Sequence, residues 1–152
     1  MCELHNLQYL DLSFCGHLKK LPEGIGKLIN LRSLNTMGCK RLEYCPKGIG
    51  KLTSLTELSG VVVRVDGNKA EEFSVGDLEN LDLLRGFLRI TAVGNKVDEE
   101  DAKRAKLHNK THLKELHIFK LDEVVNVDDV IQSLNPPDWL NIERYCLCLF
   151  PN

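Results

Sequence analysis

Aromatic side chains are scarce: Phe, Trp and Tyr supply 6% of 152 residues, against a hydrophobic share of 43%. Most cores mix rings with branched aliphatics, so a core drawn largely from leucine suggests one packing unit used repeatedly. Charge of one sign is lacking as well. Twenty Lys and Arg face 22 Asp and Glu, for a net charge of −2. The concentrated basic face that a phosphate backbone selects for is missing, so nucleic acid is not an expected partner. Long apolar runs are also absent. Val61-Val62-Val63 stops at Arg64, far short of the roughly 20 residues needed to cross a bilayer. Met1-Cys2-Glu3-Leu4-His5 has neither the basic start nor the apolar stretch of a secretory signal. A cytoplasmic chain with no membrane partner is expected.

No C-x-x-C pair occurs. Cys2, Cys15, Cys39, Cys45, Cys146 and Cys148 are scattered, as are the five histidines. Without an export signal the cysteines are expected as reduced thiols, and neither a metal site nor a cofactor is expected.

What is present is a repeat. Leu4 to Lys27 reads LHNLQYLDLSFCGHLKKLPEGIGK, and Leu28 to Lys51 reads LINLRSLNTMGCKRLEYCPKGIGK. The two align without a gap. Leu4, Leu7 and Leu10 fall on Leu28, Leu31 and Leu34; Cys15 falls on Cys39, Leu18 on Leu42 and Pro22 on Pro46. A third unit opens with Leu52, Leu55 and Leu58. Leu7-x-x-Leu10-x-Leu12-x-x-Cys15 has the spacing of a leucine-rich repeat. Alternation puts Leu10 and Leu12 on one face of a short strand and Tyr9, Asp11 and Ser13 on the other. Such a strand buries nothing alone; stacked on its neighbours, it builds a parallel sheet over a leucine column. Cys15 and Cys39 occupy the position where a weak donor meets backbone carbonyls of the adjacent turn. Pro22 and the glycines of Gly24-Ile25-Gly26 turn the chain back.

Taking Leu10, Leu34, Leu58, Leu88, Leu116 and Tyr145 as the central inward residues gives gaps of 24, 24, 30, 28 and 29 residues. The expected fold is an α/β leucine-rich-repeat solenoid of about six repeats, with a curved parallel sheet on the concave side and turns and short helices on the convex side. The whole chain, 1–152, forms one domain: regular 24-residue repeats over 1–60, an irregular loop over 61–77, and longer repeats with convex helices over 78–152. Asp98 is expected to cap a helix reaching about Asn109, with Asp101 at the reciprocal capping position and Ala102, Ala105 and Leu107 facing inward. A second helix is expected from Val127 to Leu134, stopped by Pro136-Pro137. Both ends present leucine-lined edges without a polar cap, so the chain alone is expected to associate with itself, as a truncated fragment would.

Five stretches carry a family resemblance: LPEGIGKLINLRSLNTMGC, CPKGIGKLTSLTELSGVVV, DLENLDLLRGFLRI, DEEDAKRAKLHNKTHLKELHI and DDVIQSLNPPDWLNIERY. Their order resembles the leucine-rich-repeat region of plant intracellular nucleotide-binding disease-resistance receptors of the coiled-coil type. The resemblance implies a module that senses pathogen effectors or host guard proteins and folds back on the receptor's nucleotide-binding module. Thr36, Gly60 and Val63 depart from the repeat, standing where apolar or ladder residues are expected.

Catalysis and nucleotide binding find no frame in the residues. Gly24-Ile25-Gly26-Lys27 is followed by Leu28, where a phosphate loop needs a hydroxyl residue for magnesium. His5, His17, His108, His112 and His117 belong to no recognised hydrolase or metalloprotease motif. Protein binding on the concave face remains, with Tyr9, Asp11, Ser13, Ser33, Asn35, Met37, Glu57, Ser59, Arg89, Glu115, His117, Phe119 and Arg144 as candidate contact residues. Val61, Thr91, Cys146 and Cys148 are expected on the same face. The competing reading is a general cytosolic scaffold of the same repeat; an upstream nucleotide-binding module in the parent locus would separate the two.

Overall fold

The computed structural model describes residues 4–67, 69–121 and 124–146. Six strands form one sheet in chain order: β1 (Tyr9–Asp11), β2 (Ser33–Asn35), β3 (Glu57–Arg64), β4 (Gly86–Val93), β5 (Leu113–Lys120) and β6 (Asn141–Cys146). Every neighbouring pair is parallel. Leu10 lies opposite Leu34, Leu34 opposite Leu58, Leu58 opposite Leu88 and Leu88 opposite Leu116. This is the leucine column expected from the spacing, and from Leu34 to Leu116 each member is essentially inaccessible. Burial of each such side chain contributes about 1.5–3 kcal/mol. The strands supply one wall of the core; Leu21, Ile25, Leu28 and Leu31, with their repeat partners, supply the other.

The convex return path explains the G-I-G-K copies. Glu23–Lys27 and Lys47–Lys51 are short 3-10 turns, each preceded by a proline in extended conformation. A Cβ at Gly26 would sit 3.0 Å from the Cα and carbonyl oxygen of Gly48. Stacked turns come this close only where side chains are missing, so these glycines serve packing.

The structure departs from the sequence expectations at several points. Strand β3 runs to Arg64, four residues into the segment expected as loop. Gly60 sits at φ +79 and shifts the β3–β4 register between Ser59 and Val61. An extra residue reverses the side-chain phase beyond it. Val61 therefore turns inward opposite Ile90 and is fully buried, so it leaves the concave set. The first convex helix, α1 (Glu99–Arg104), is shorter than expected; Lys106 enters the left-handed region and a 3-10 turn follows over Leu107–Asn109. Asp98 caps α1 by accepting the Asp101 amide, while the Asp101 carboxylate reaches into the preceding repeat and accepts from the Ser74 hydroxyl and Gly76 amide. The second, α2 (Val127–Leu134), has its expected bounds, with Val127, Val130 and Leu134 buried. Asn126 caps it and Asn135 ends it in the left-handed conformation.

The largest correction is in β6. Ile142, not Tyr145, pairs with Leu116. After the two prolines, the Leu140 amide donates to the Pro137 carbonyl, as the Leu113 amide donates to Lys110 one repeat earlier. Leu140 is thus the residue that opens the sixth unit, and Ile142 takes the central place. A slip of three residues, being odd, exchanges the two faces of the strand.

Candidate functional site

The concave face is built in rows across the strands. Tyr9, Ser33 and Glu57 are register partners along the first. Phe87, Glu115 and Asn141 carry that edge of the sheet onward. Asp11, Asn35, Ser59, Arg89, His117 and Glu143 form a second row without a break. Thr91, Phe119 and Tyr145 form a third over the last strands. Ser13 and Met37 follow β1 and β2, where their amides donate to Asp11 and Asn35 at 2.8 and 3.0 Å. Hydrogen bonds from the Ser13 hydroxyl and amide hold the Asp11 carboxyl below its ordinary pKa.

Contacts within the face run both across and along the strands. Ser33 Oγ donates to Glu57 at 3.2 Å, and Arg89 Nη1 donates to Ser59 Oγ at 3.4 Å. The Arg89 guanidinium also lies 4.8 Å over the Phe87 ring. His117 Nε2 is 2.7 Å from the Glu115 carboxylate. Its ring meets Phe87 edge-on and Tyr145 at a tilt, both at 5.6 Å, and Tyr145 stacks on Phe119 at 4.7 Å. A continuous aromatic cluster therefore crosses β4, β5 and β6. Thr91 and His117 are each covered to 9% exposure beneath it, so they support the face more than they offer contact.

Of the candidate contact residues, Arg144 alone is misplaced. It pairs with Ile118, in phase with the leucine column, and its side chain reaches Asp128 at the start of α2. Cys146, opposite Lys120, leaves the face for the same reason; Cys148 lies outside the described residues. Phe87, Glu143 and Tyr145 belong to the face and were not anticipated. Phe87 follows from simple alternation with Arg89, had β4 been started two residues earlier.

The cysteine expectations divide. Cys39 Sγ donates to the Leu12 carbonyl at 3.0 Å, as the repeat requires, whereas Cys15 in the first described turn is exposed. At Thr36 the ladder is kept by a hydroxyl that donates to the Ser59 carbonyl. Cys45 is buried, accepts the Val62 amide at 3.3 Å, and has its thiol pKa pushed up to about 12 by burial. Cys15, Cys39 and Cys45 are free thiols, but Cys146 is disulfide-bonded, contrary to the expectation of reduced thiols throughout.

Among the described residues, no group of three or more His, Cys, Asp or Glu converges on a metal-sized site. No helix among them is long and apolar enough to cross a membrane.

A leucine-rich repeat region model matches residues 1–152. The chain belongs to the leucine-rich repeat family. No curated protein sequence matches it. A solved leucine-rich repeat protein of Leptospira interrogans aligns at 22% identity over 93% of the chain, with a TM-score of 0.40. The chain spans 38% of that protein's length. Leucine-rich repeat folds are in general non-catalytic scaffolds that bind proteins on an extended concave surface.

Proposed function

We propose that this leucine-rich repeat chain is a non-catalytic recognition module that binds a protein ligand on its concave face. The aromatic cluster of Phe87, His117, Phe119 and Tyr145 is the observation that carries this reading. Rings gathered on a sheet face outside the core are the side-chain type on which binding energy concentrates. Polar groups around them, Glu57, Ser59, Arg89 and Glu115, give a rim able to select among partners.

The biological setting we infer is that of a plant immune receptor, where such a module senses a pathogen effector or host guard protein and contacts the receptor's nucleotide-binding module. The support is the resemblance of the five sequence stretches, from LPEGIGKLINLRSLNTMGC to DDVIQSLNPPDWLNIERY. Proximity labelling in the native tissue tests both parts. Replacement of Phe119 and Tyr145 by alanine should remove the labelled partners that the native chain collects, and charge reversal at Asp11, Glu57 and Glu115 should change that partner set. An unchanged partner set would remove the concave face from the account.

A further inference from the structure

A groove of about 870 Å³ opens at the edge of the concave face where β3, β4 and β5 begin. Arg85, Arg89 and Lys114 line it, together with Phe87, Leu83 and Glu57. Cations of the neighbouring convex turns are neutralised within the fold: Arg104 and Lys106 by Glu79, and Lys110 by Asp82. The three groove cations differ. Among the described residues, no carboxylate pairs with any of them. Arg89 is also preoriented, lying over the Phe87 ring with one nitrogen on Ser59 Oγ. Adjacent strands lie about 4.8 Å apart and residues rise about 3.3 Å along a strand, so Arg85 and Arg89, with Lys114 on the next strand, span about four extended residues.

We propose that this groove takes a short acidic segment of a partner polypeptide. Arg85, Arg89 and Lys114 hold its carboxylates, and Phe87 and Leu83 take an apolar side chain beside them. The inference rests on the concave-face reading and adds the chemistry of the ligand. Charge complementarity selects the occupant. A guanidinium fork matches a carboxylate in two parallel hydrogen bonds. A nucleic acid strand fits poorly: the three cations match a few carboxylates, whereas a continuous run of phosphates would extend past them onto Glu57, Glu115 and Glu143.

The test is fluorescence anisotropy on the whole chain with a labelled dodecapeptide carrying four glutamates around one tyrosine. Its glutamine counterpart and a single-stranded oligonucleotide are run alongside. The acidic peptide should bind, more weakly as ionic strength rises, and the glutamine peptide should not. The triple variant R85Q/R89Q/K114Q should weaken binding roughly tenfold. The double lysine variant R85K/R89K should lose far less, and K19Q/K27Q/K51Q, on other surfaces, should match the native chain. Circular dichroism melts confirm that each variant is folded. Absence of binding, equal loss in both glutamine triples, or tighter binding of the oligonucleotide would overturn the proposal. Partners collected by proximity labelling keep the two readings apart. If they survive R85Q/R89Q/K114Q but are lost in F119A/Y145A, the acidic-ligand inference fails alone; if they survive both, the concave-face reading fails with it.

Discussion

Tyr145 stacks on Phe119 with ring centroids 4.7 Å apart and an interplanar angle of 15°. That contact exists only because β6 is registered with Ile142 opposite Leu116. Had Tyr145 occupied the inward column, the two rings would lie on opposite sides of the sheet. A double-mutant cycle of Tyr145→Ala and Phe119→Ala, followed by urea unfolding, should give a coupling of about 0.5–1.5 kcal/mol, the range for aromatic pairs. Additive effects would refute the register.

Gly60 is the second point at which the sheet depends on one residue. A Cβ there would lie 2.4 Å from the Met37 amide nitrogen, in a backbone conformation at φ +79. Gly60→Ala should cost at least about 1–3 kcal/mol from the conformation alone, before the clash is added. Gly16→Ala, where nothing lies within 4 Å, should change stability by less than about 0.5 kcal/mol. Equal melting temperatures for the two variants would contradict the bulge.

Asp101 ties α1 to the preceding repeat. Its carboxylate is buried and receives the Ser74 hydroxyl and Gly76 amide, each at 3.2 Å, and Arg104 at 3.1 Å. Asp101→Ala leaves the buried Gly76 amide without an acceptor, while Ser74 keeps Asp77 and Arg104 keeps Glu79, at a cost of about 2–3 kcal/mol. Asp98→Ala removes only the cap and should cost about 1 kcal/mol. The difference is read from paired urea transitions.

Cys45 gives a pH signature. Its folded pKa, about 12, lies above the ordinary thiol value of 9.0. The folded chain therefore holds the proton after the unfolded chain has released it. The contribution is complete below pH 9.0 and is lost as pH rises toward 12, at about 1.4 kcal/mol per pH unit. Unfolding free energies at pH 8 and pH 10.5 should differ by more in the native chain than in Cys45→Ala. Parallel slopes would mean that Cys45 is not held as a buried thiol.

Much of this molecule was legible where one signal sufficed. The two ungapped 24-residue units fixed the column from Leu10 to Leu58, because strand alternation and repeat length agreed. Helix α2 was readable from the prolines that stop it, although its cap, Asn126, was not. The failures lie where local and tertiary signals competed. Gly60 carries no side chain from which to read a change of phase, so Val61 was placed on the wrong face. In the sixth unit Ile142-x-x-Tyr145-x-Leu147 imitates the repeat, but Leu140 had already closed the opening turn. Lys106 took the left-handed conformation and ended α1, with nothing in its residue type to announce it. The aromatic cluster was half visible: Phe119 and His117 fell into phase, whereas Phe87 and Tyr145 required the exact strand start and register.

The concave face as the binding surface is tested most directly by site-specific photocrosslinking in the native tissue. A photoreactive residue placed at Phe119 or Glu57 should yield crosslinks to a partner protein. The same group at Lys27 or Lys51, on the convex turns, should yield none. Crosslinks formed from the convex positions and not from Phe119 or Glu57 would contradict the account.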